Sequence, residues 1–377
     1  MRPDDRRRAR RVAVGSVVCL LGLLTSCAGG SSESAGSGPA TPPASSAASS
    51  AAGSLSAADA FLTTYVDADG RVLRHDQGDD IVSEGQAYGM LIAELAGRAD
   101  LASTIWSWTK DHLQNADGLL AFHASSDGQV LDKQPASDAD TLAAYALLRY
   151  SGPGQDALHA DGKRLAAAVL RLETVQDAHG RPVLVAGPWA TKPAVVNPSY
   201  WMPSVFDDLA RRTGDAAWRE MGDATVMLTD RLTSHGAQLP PDWGRLAGDQ
   251  VTPTGSGGGN GAPQYGPDAQ RVPMWFAASC TGSARQLAAS WWSLLQQDGR
   301  SSASALSLDG QPIDASGSTV ALLASAAAAS AAGDTPAVGD LSSGATQSDQ
   351  GRPSYYGAAW RALAEGLRDG RLAPCSS

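Results

Sequence analysis

Apolar residues recur three and four positions apart through most of the chain, the spacing of helices that bury one face. Eleven segments carry it: 57–66, 85–96, 101–113, 139–150, 162–175, 203–214, 216–232, 269–279, 284–296, 318–333 and 355–367. Strict alternation is scarce: "GRVLR" (70–74), "GRPVLV" (180–185) and "ALSLDG" (305–310) read as short, peripheral strands. Many helices without alternating strands predict an all-α domain. From about residue 55 to the C-terminus no low-complexity break interrupts the pattern, so roughly 320 residues form one large unit.

Two all-α architectures suit that length: a solenoid of stacked helix pairs, or a closed toroid of about six inner and outer pairs. A solenoid requires a repeated consensus of about 30–50 residues, and the chain has none. Its connections are instead long and rich in Trp, Gly and Pro, as in "VAGPWATKPAVVNPSYW" (185–201), "QLPPDWGRL" (238–246) and "TPTGSGGGNGAPQYGPD" (252–268). Loops of that kind on a rigid scaffold usually carry function. The toroid is the predicted fold.

The N-terminal region follows a different pattern. Residues 1–11 hold six arginines and two aspartates, followed by the apolar run "VAVGSVVCLLGLL" (12–24) and then "TSC". A basic start, a short apolar core and small residues before a cysteine describe a secretory signal, too short for a membrane span of about 20 residues. "LTSC" (24–27) reads as a lipobox, with cleavage before Cys27 and lipid on its sulfur; an ordinary signal peptide with an incidental cysteine is the alternative. Residues 28–54 carry one charge and no large apolar side chain before Leu55, so they are expected to act as a flexible tether, with the catalytic-size domain at 55–377.

Removing residues 1–26 takes away a net +4, so the formal charge of −10 becomes about −14 in the mature chain. So acidic a surface disfavours nucleic acid and anionic lipid as partners. Contact with a membrane is expected only through the lipid, and the working state is expected to be a monomer. Of the four cysteines, Cys280 and Cys375 remain after Cys19 and Cys27 are accounted for. A disulfide pinning the C-terminus to the helix around Cys280 and two separately buried thiols both fit. Neither has Cys or His neighbours at zinc spacing.

Three acidic positions stand where helices begin. In "VSEGQAYGM" (82–90), Ser83 and Gln86 form an S-x-x-Q capping box, with Glu84 in the first turn where the helix dipole favours an anion. "ASDAD" (136–140) repeats the box with Ser137 and Asp140, leaving Asp138 beside the helix start. In "YGPDAQRVPMW" (265–275), Pro267 opens a helix, Asp268 follows, and Arg271 lies one turn on. Each has a plain structural reading as a cap or an (i, i+3) ion pair. A carboxyl at a helix N-terminus also makes a poor general acid unless burial and a second carboxylate raise its pKa. The toroid reconciles these readings. Its inner helices run the same way, so their N-termini open on one face and the three acids can converge. Two carboxylates flanking an aromatic-lined pocket is the arrangement for glycoside hydrolysis.

With these motifs in order, the chain resembles glycoside hydrolase family 8: "GRVLR", "VSEGQAYGMLIA", Trp106 and Trp108, "GLLAF" (118–122), "ASDADTLAAYALL", "NPSYWMPSVFDDLA" (197–210), "LPPDW" (239–243), "DAQRVP" (268–273) and "YYGAAW" (355–360). The resemblance spans residues 59–372 and implies an (α/α)6 barrel and an inverting endo-1,4-β-glucanase. It implies Glu84 as proton donor, Asp268 as the base that activates water, and Asp138 as a third carboxylate holding the sugar at the scissile bond. Arg271, Tyr88, Tyr200, Trp201 and Tyr356 are the expected substrate contacts, a polysaccharide is the expected partner, and no metal or organic cofactor is implied. Chitosan or xylan in place of cellulose, and a silent surface-anchored polysaccharide-binding protein, are the competing readings. Two departures bear on the site: Phe122 stands where relatives often have Trp, and "GSGGGNG" (255–261) is inserted just before the base.

Overall fold

The computed structural model describes residues 56–234 and 238–375. The signal, Cys27 and the tether lie outside them. Among the described residues are twelve α-helices: α1 (Ala57–Tyr65), α2 (Ser83–Leu95), α3 (Ala99–Leu113), α4 (Ser137–Arg149), α5 (Gln155–Leu172), α6 (Pro203–Thr213), α7 (Ala217–Ser234), α8 (Val272–Ala277), α9 (Gly282–Leu295), α10 (Thr319–Ala332), α11 (Thr335–Gly351) and α12 (Tyr355–Arg368). The even-numbered helices pack in succession, α2 on α4, α4 on α6, and so on to α12, which closes back on α2. Each odd-numbered helix lies against an even-numbered helix next to it in sequence, outside that ring. The result is a double ring of six inner and six outer helices, an (α/α)6 barrel.

Burial follows from the two roles. Inner helices touch neighbours all round, so α4 is buried from Ser137 through Leu148, and α2 from Gly85 through Ala93. Outer helices keep a wet face: α5 buries only one stripe, including Leu165, Ala166, Ala168 and Val169. The inside of the ring is filled by aromatics set edge to face. Tyr88 and Trp275 each meet Trp360 with ring centroids 5.6 Å apart, contacts worth about 0.5–1.5 kcal/mol each beyond area burial. At the closing seam a Cβ on Gly85 would lie 2.7 Å from the Tyr355 hydroxyl, so glycine there lets α12 reach α2.

Eleven of the twelve helices match the periodic segments. α11 was not expected: it reads "TPAVGDLSSGATQSDQG", buries little beyond Ala345 and Asp349, and lies against α10. Its start is set by Asp334, whose side chain accepts from the Ala337 amide, with a proline in the first turn. Packing, not pattern, makes it a helix.

The strands are short, as expected, but not all where expected. Pro182–Leu184 pairs with Thr174–Gln176, and Ala305–Leu306 with Pro312–Asp314. "GRVLR" forms only isolated bridges at Val72 and Arg74. The long connections expected as loops contain a hairpin, Trp243–Ala247 with Gln250–Thr254, to which Val195–Val196 adds a third strand.

Both capping boxes are absent. Val82 and Ala136 are the N-caps of α2 and α4, and neither gives a side-chain cap. Gln86 instead accepts from the Val72 amide at 2.7 Å and donates to Gly70 O and Thr109 Oγ1. Ser137 donates to Val185 O at 2.5 Å, and Asp140 accepts from the Leu120 amide. Side chains that match a local cap are drawn into tertiary bonds because these helix starts are fully buried. Cys280 and Cys375 are bonded, Cα atoms 5.3 Å apart. Cys280 sits in the turn between α8 and α9 rather than in a helix. No described helix is long and apolar enough to cross a membrane.

Candidate active site

Arg271, in the turn that leads into α8, has a side chain only 3% exposed, and joins the three acids. Its Nη1 donates to Glu84 Oε1 at 2.5 Å and to Asp138 Oδ2 at 3.1 Å. Its Nη2 donates to Asp268 Oδ1 at 3.2 Å and to Ser199 Oγ at 2.5 Å. Residues up to 187 positions apart therefore meet on one guanidinium, because the first turns of α2 and α4 and the segments before α6 and α8 open on the same mouth of the barrel. The surface ion pair that Asp268 and Arg271 suggest by spacing is a buried hub.

Three carboxylates around one cation leave excess negative charge in a dry place. Burial, and then the charge of Glu84, push Asp138 up to about 7. Its Oδ1 accepts from the Ala139 amide, which offsets part of that rise. Deeper behind it, Asp140 and Glu173 are also raised well above ordinary carboxylates by burial, and both Glu173 oxygens lack a donor. Arg271 is held charged by the phenols and carboxylates around it.

The remaining expected contacts separate by position. Tyr88 is buried, but its hydroxyl donates to Glu84 and accepts from Arg271 Nη1 at 3.0 Å; burial keeps that phenol protonated. The half-buried Tyr200 ring lies under the Arg271 guanidinium, 5.4 Å from centroid to Cζ. Tyr356, half-buried at the start of α12, donates to Pro267 O at 3.1 Å. Trp201 does not reach the mouth: it is fully enclosed, and its indole donates to Leu184 O. No face of it is open to a sugar.

Asn197 and Trp189 were not expected at the mouth from the sequence, whereas Phe122 was. Asn197 Nδ2 donates to Asp268 Oδ2 at 3.0 Å, while Asn197 Oδ1 holds the Ser199 amide and hydroxyl. "NPS" is an Asx-turn signal, but only the fold shows that the amide points at Asp268. Trp189 is 43% exposed with its indole on Pro135 O, three residues before Asp138. Phe122 is 36% exposed, and its carbonyl accepts from the Ser83 amide beside Glu84. Both rings therefore offer open apolar surface near the acids. The glycine insertion folds on itself: Gly255 touches Gly261 so closely that a Cβ would lie 2.5 Å from its nitrogen, and Arg245 holds Gly258 O at 2.6 Å. Its ends line an open pocket together with Asp242 and Asp268.

Acidic side chains gathered on one mouth of an (α/α)6 barrel, flanked by exposed aromatics, define a class of carbohydrate-handling sites. The chain belongs to the glycosyl hydrolases family 8, whose family model matches residues 43–370. It is 35% identical over 235 residues to a probable endoglucanase of Novacetimonas hansenii, covering 57% of this chain and 64% of that protein. It is 27% identical over 229 residues to an endoglucanase of Cellulomonas uda, covering 59% and 63%. Both matches span less than two thirds of the relatives' own length. A GH8 endo-β-1,4-glucanase from an Achatina fulica gut metagenomic library shares the fold with a TM-score of 0.70 at 23% identity, over 85% of this chain and 99% of that one.

Proposed function

We propose that the protein is an endo-acting glycosidase that cleaves internal β-1,4 bonds of a glucan with inversion. The observation that carries this is the single guanidinium shared by Glu84, Asp138 and Asp268. The two endoglucanase relatives support the substrate class. Glu84 gives its proton to the glycosidic oxygen as the bond to the anomeric carbon breaks. Asp268 takes a proton from a water that attacks the opposite face of the sugar. The path from Glu84 through Nη1 and Nη2 to Asp268 caps their oxygen–oxygen separation at about 8 Å, compatible with the roughly 6.5–9.5 Å that an inverting pair requires.

Glu84 pairs with Arg271, so its acid role depends on a proton held nearby. Asp138 supplies the place: it and Glu84 accept from the same Nη1, and Asp138 keeps a proton up to about pH 7. A glycosidic oxygen beside Glu84 is the acceptor that draws it across. Anomeric analysis of the first product by NMR tests the reading: inversion is expected, and retention would refute it. Activity on carboxymethylcellulose, mixed-linkage glucan, chitosan and xylan places the substrate. Activity on none of them would leave the silent binding protein as the better reading.

We further infer export, and lipid attachment at Cys27, from the basic start, the apolar run and "LTSC". Labelling with a fatty-acid probe is expected for the natural chain and not for Cys27→Ala.

A further inference from the structure

Asp242 lies in "LPPDW" at the start of the hairpin, 8% exposed, and belongs to none of the roles above. Its Oδ1 accepts from the Gly266 amide at 3.0 Å and the Ala269 amide at 2.8 Å. Those two amides bracket Pro267–Asp268, of which the proline has none to offer. Its Oδ2 accepts from Gln264 Nε2 at 3.0 Å, and its own amide donates to Gln264 O at 2.8 Å. One carboxylate from a distant strand thus grips the backbone on both sides of the base. It also satisfies a donor at the start of the turn that carries Arg271, as a helix cap would, but from outside the helix. The fit admits no side chain at position 266, where a Cβ would lie 2.4 Å from Asp242 Oδ2.

The Asp268 side chain is held separately, by Asn197 and Arg271. Backbone and side chain therefore have different anchors, and both Asp242 and Asp268 line the pocket walled by the glycine insertion. We propose that Asp242 is a positioning residue for the base: its carboxylate grips the backbone on both sides of Asp268 and so sets where that side chain stands. This rests on the reading of Asp268 as the base. Burial, and then the charge of Asp268, push Asp242 up to about 6, which agrees with two carboxylates in mutual reach. The other charged or titratable groups around Asp268 are Arg271, Asp138, Glu84, Tyr200 and Tyr356, and the test leaves all of them unchanged.

Two variants separate grip from charge. Asp242→Asn keeps an oxygen for the two amides and removes the charge, while Asp242→Ala removes both. Initial rates on a cello-oligosaccharide and a thermal midpoint are measured for each. For Asp242→Ala, kcat is expected to fall about 10²-fold with KM within about threefold, as for a reacting group displaced by about 1 Å. For Asp242→Asn, whose side-chain oxygen can still accept from both amides, a loss of about tenfold or less is expected. The proposal is overturned if Asp242→Ala keeps kcat within about threefold of the parent, or if Asp242→Asn loses as much kcat as Asp242→Ala. Failure of the underlying reading looks different: the parent is inactive on every glucan, or Asp268→Asn retains the parent kcat.

Discussion

Replacing Glu84 by Gln should separate catalysis from stability, and the structure sets both magnitudes. Glutamine is isosteric, and its carbonyl can still accept from Arg271 Nη1, so the hub is retained. It cannot deliver a proton, and loss of a general acid costs about 10²–10⁴ in rate, roughly 2.7–5.5 kcal/mol of barrier. Stability should move the other way. Asp138, at about 7 rather than an ordinary carboxylate value, carries about 4 kcal/mol of unfavourable interaction when ionised. Burial is the largest cause and the Glu84 charge the next, so neutralising Glu84 should relieve at most about 2 kcal/mol of it. The assay is reducing-end release from carboxymethylcellulose, with calorimetric binding of a cello-oligosaccharide and thermal midpoints at pH 6 and pH 8. We expect near-complete loss of turnover, retained binding, and a midpoint equal to or above the parent at pH 8. Retention of a tenth or more of kcat would remove Glu84 as the acid. A folded variant that no longer binds the oligosaccharide would refute the division of roles.

Asp138, Asp242 and Glu94 hold protons to about 7, 6 and 8, while an unfolded chain releases them near 4. The native state therefore binds more protons through that window, and stability should fall as pH rises from 5 to 8; a midpoint that rises over that range would contradict the burial of these acids. Cys375→Ser should lower stability by about 2–4 kcal/mol without changing kcat. The tail it tethers docks on Tyr145 and Arg211, toward the ends of α4 and α6 away from the acids. A changed kcat at full folding would count against that separation. Trp189→Ala should cost about 1.5 kcal/mol of sugar binding, roughly a tenfold rise in KM at near-constant kcat. An unaltered KM would show that this indole is not a platform.

The helical double ring was legible because its amphipathic faces repeat with the helix period, and the three acids because helix starts are marked in sequence. What escaped notice was held by tertiary context. α11 has three glycines and few apolar residues, and only the α10 surface makes it helical. The S-x-x-Q and S-x-x-D patterns are true capping signals in water, but buried starts gave Gln86 and Asp140 distant partners instead. The hairpin turn at Gly248–Asp249 carried a two-residue turn signal between two stretches whose Trp, Gly and Pro content suggested loops. Among the tryptophans, residue type could not separate Trp201, sealed in the core, from Trp189, open at the mouth. Asn197 and Asp242 were invisible as partners of Asp268, because they are 71 and 26 positions away and no periodic pattern relates them to it.

The seam between α2 and α12 joins the first inner helix to the last, across most of the chain. A polypeptide that stops before residue 355 already holds Glu84, Asp138, Asp268 and Arg271, yet lacks Trp360, the ring on which both Tyr88 and Trp275 rest. Without that keystone Tyr88 and Trp275 lose the ring between them, and the Arg271 bonds to Glu84 and Tyr88 must hold the start of α8 against α2 without its support. Turnover should therefore emerge abruptly with the last helix rather than grow with chain length. The appearance of hydrolysis during refolding then times the final closure of the barrel, since long-range contacts of this kind form late.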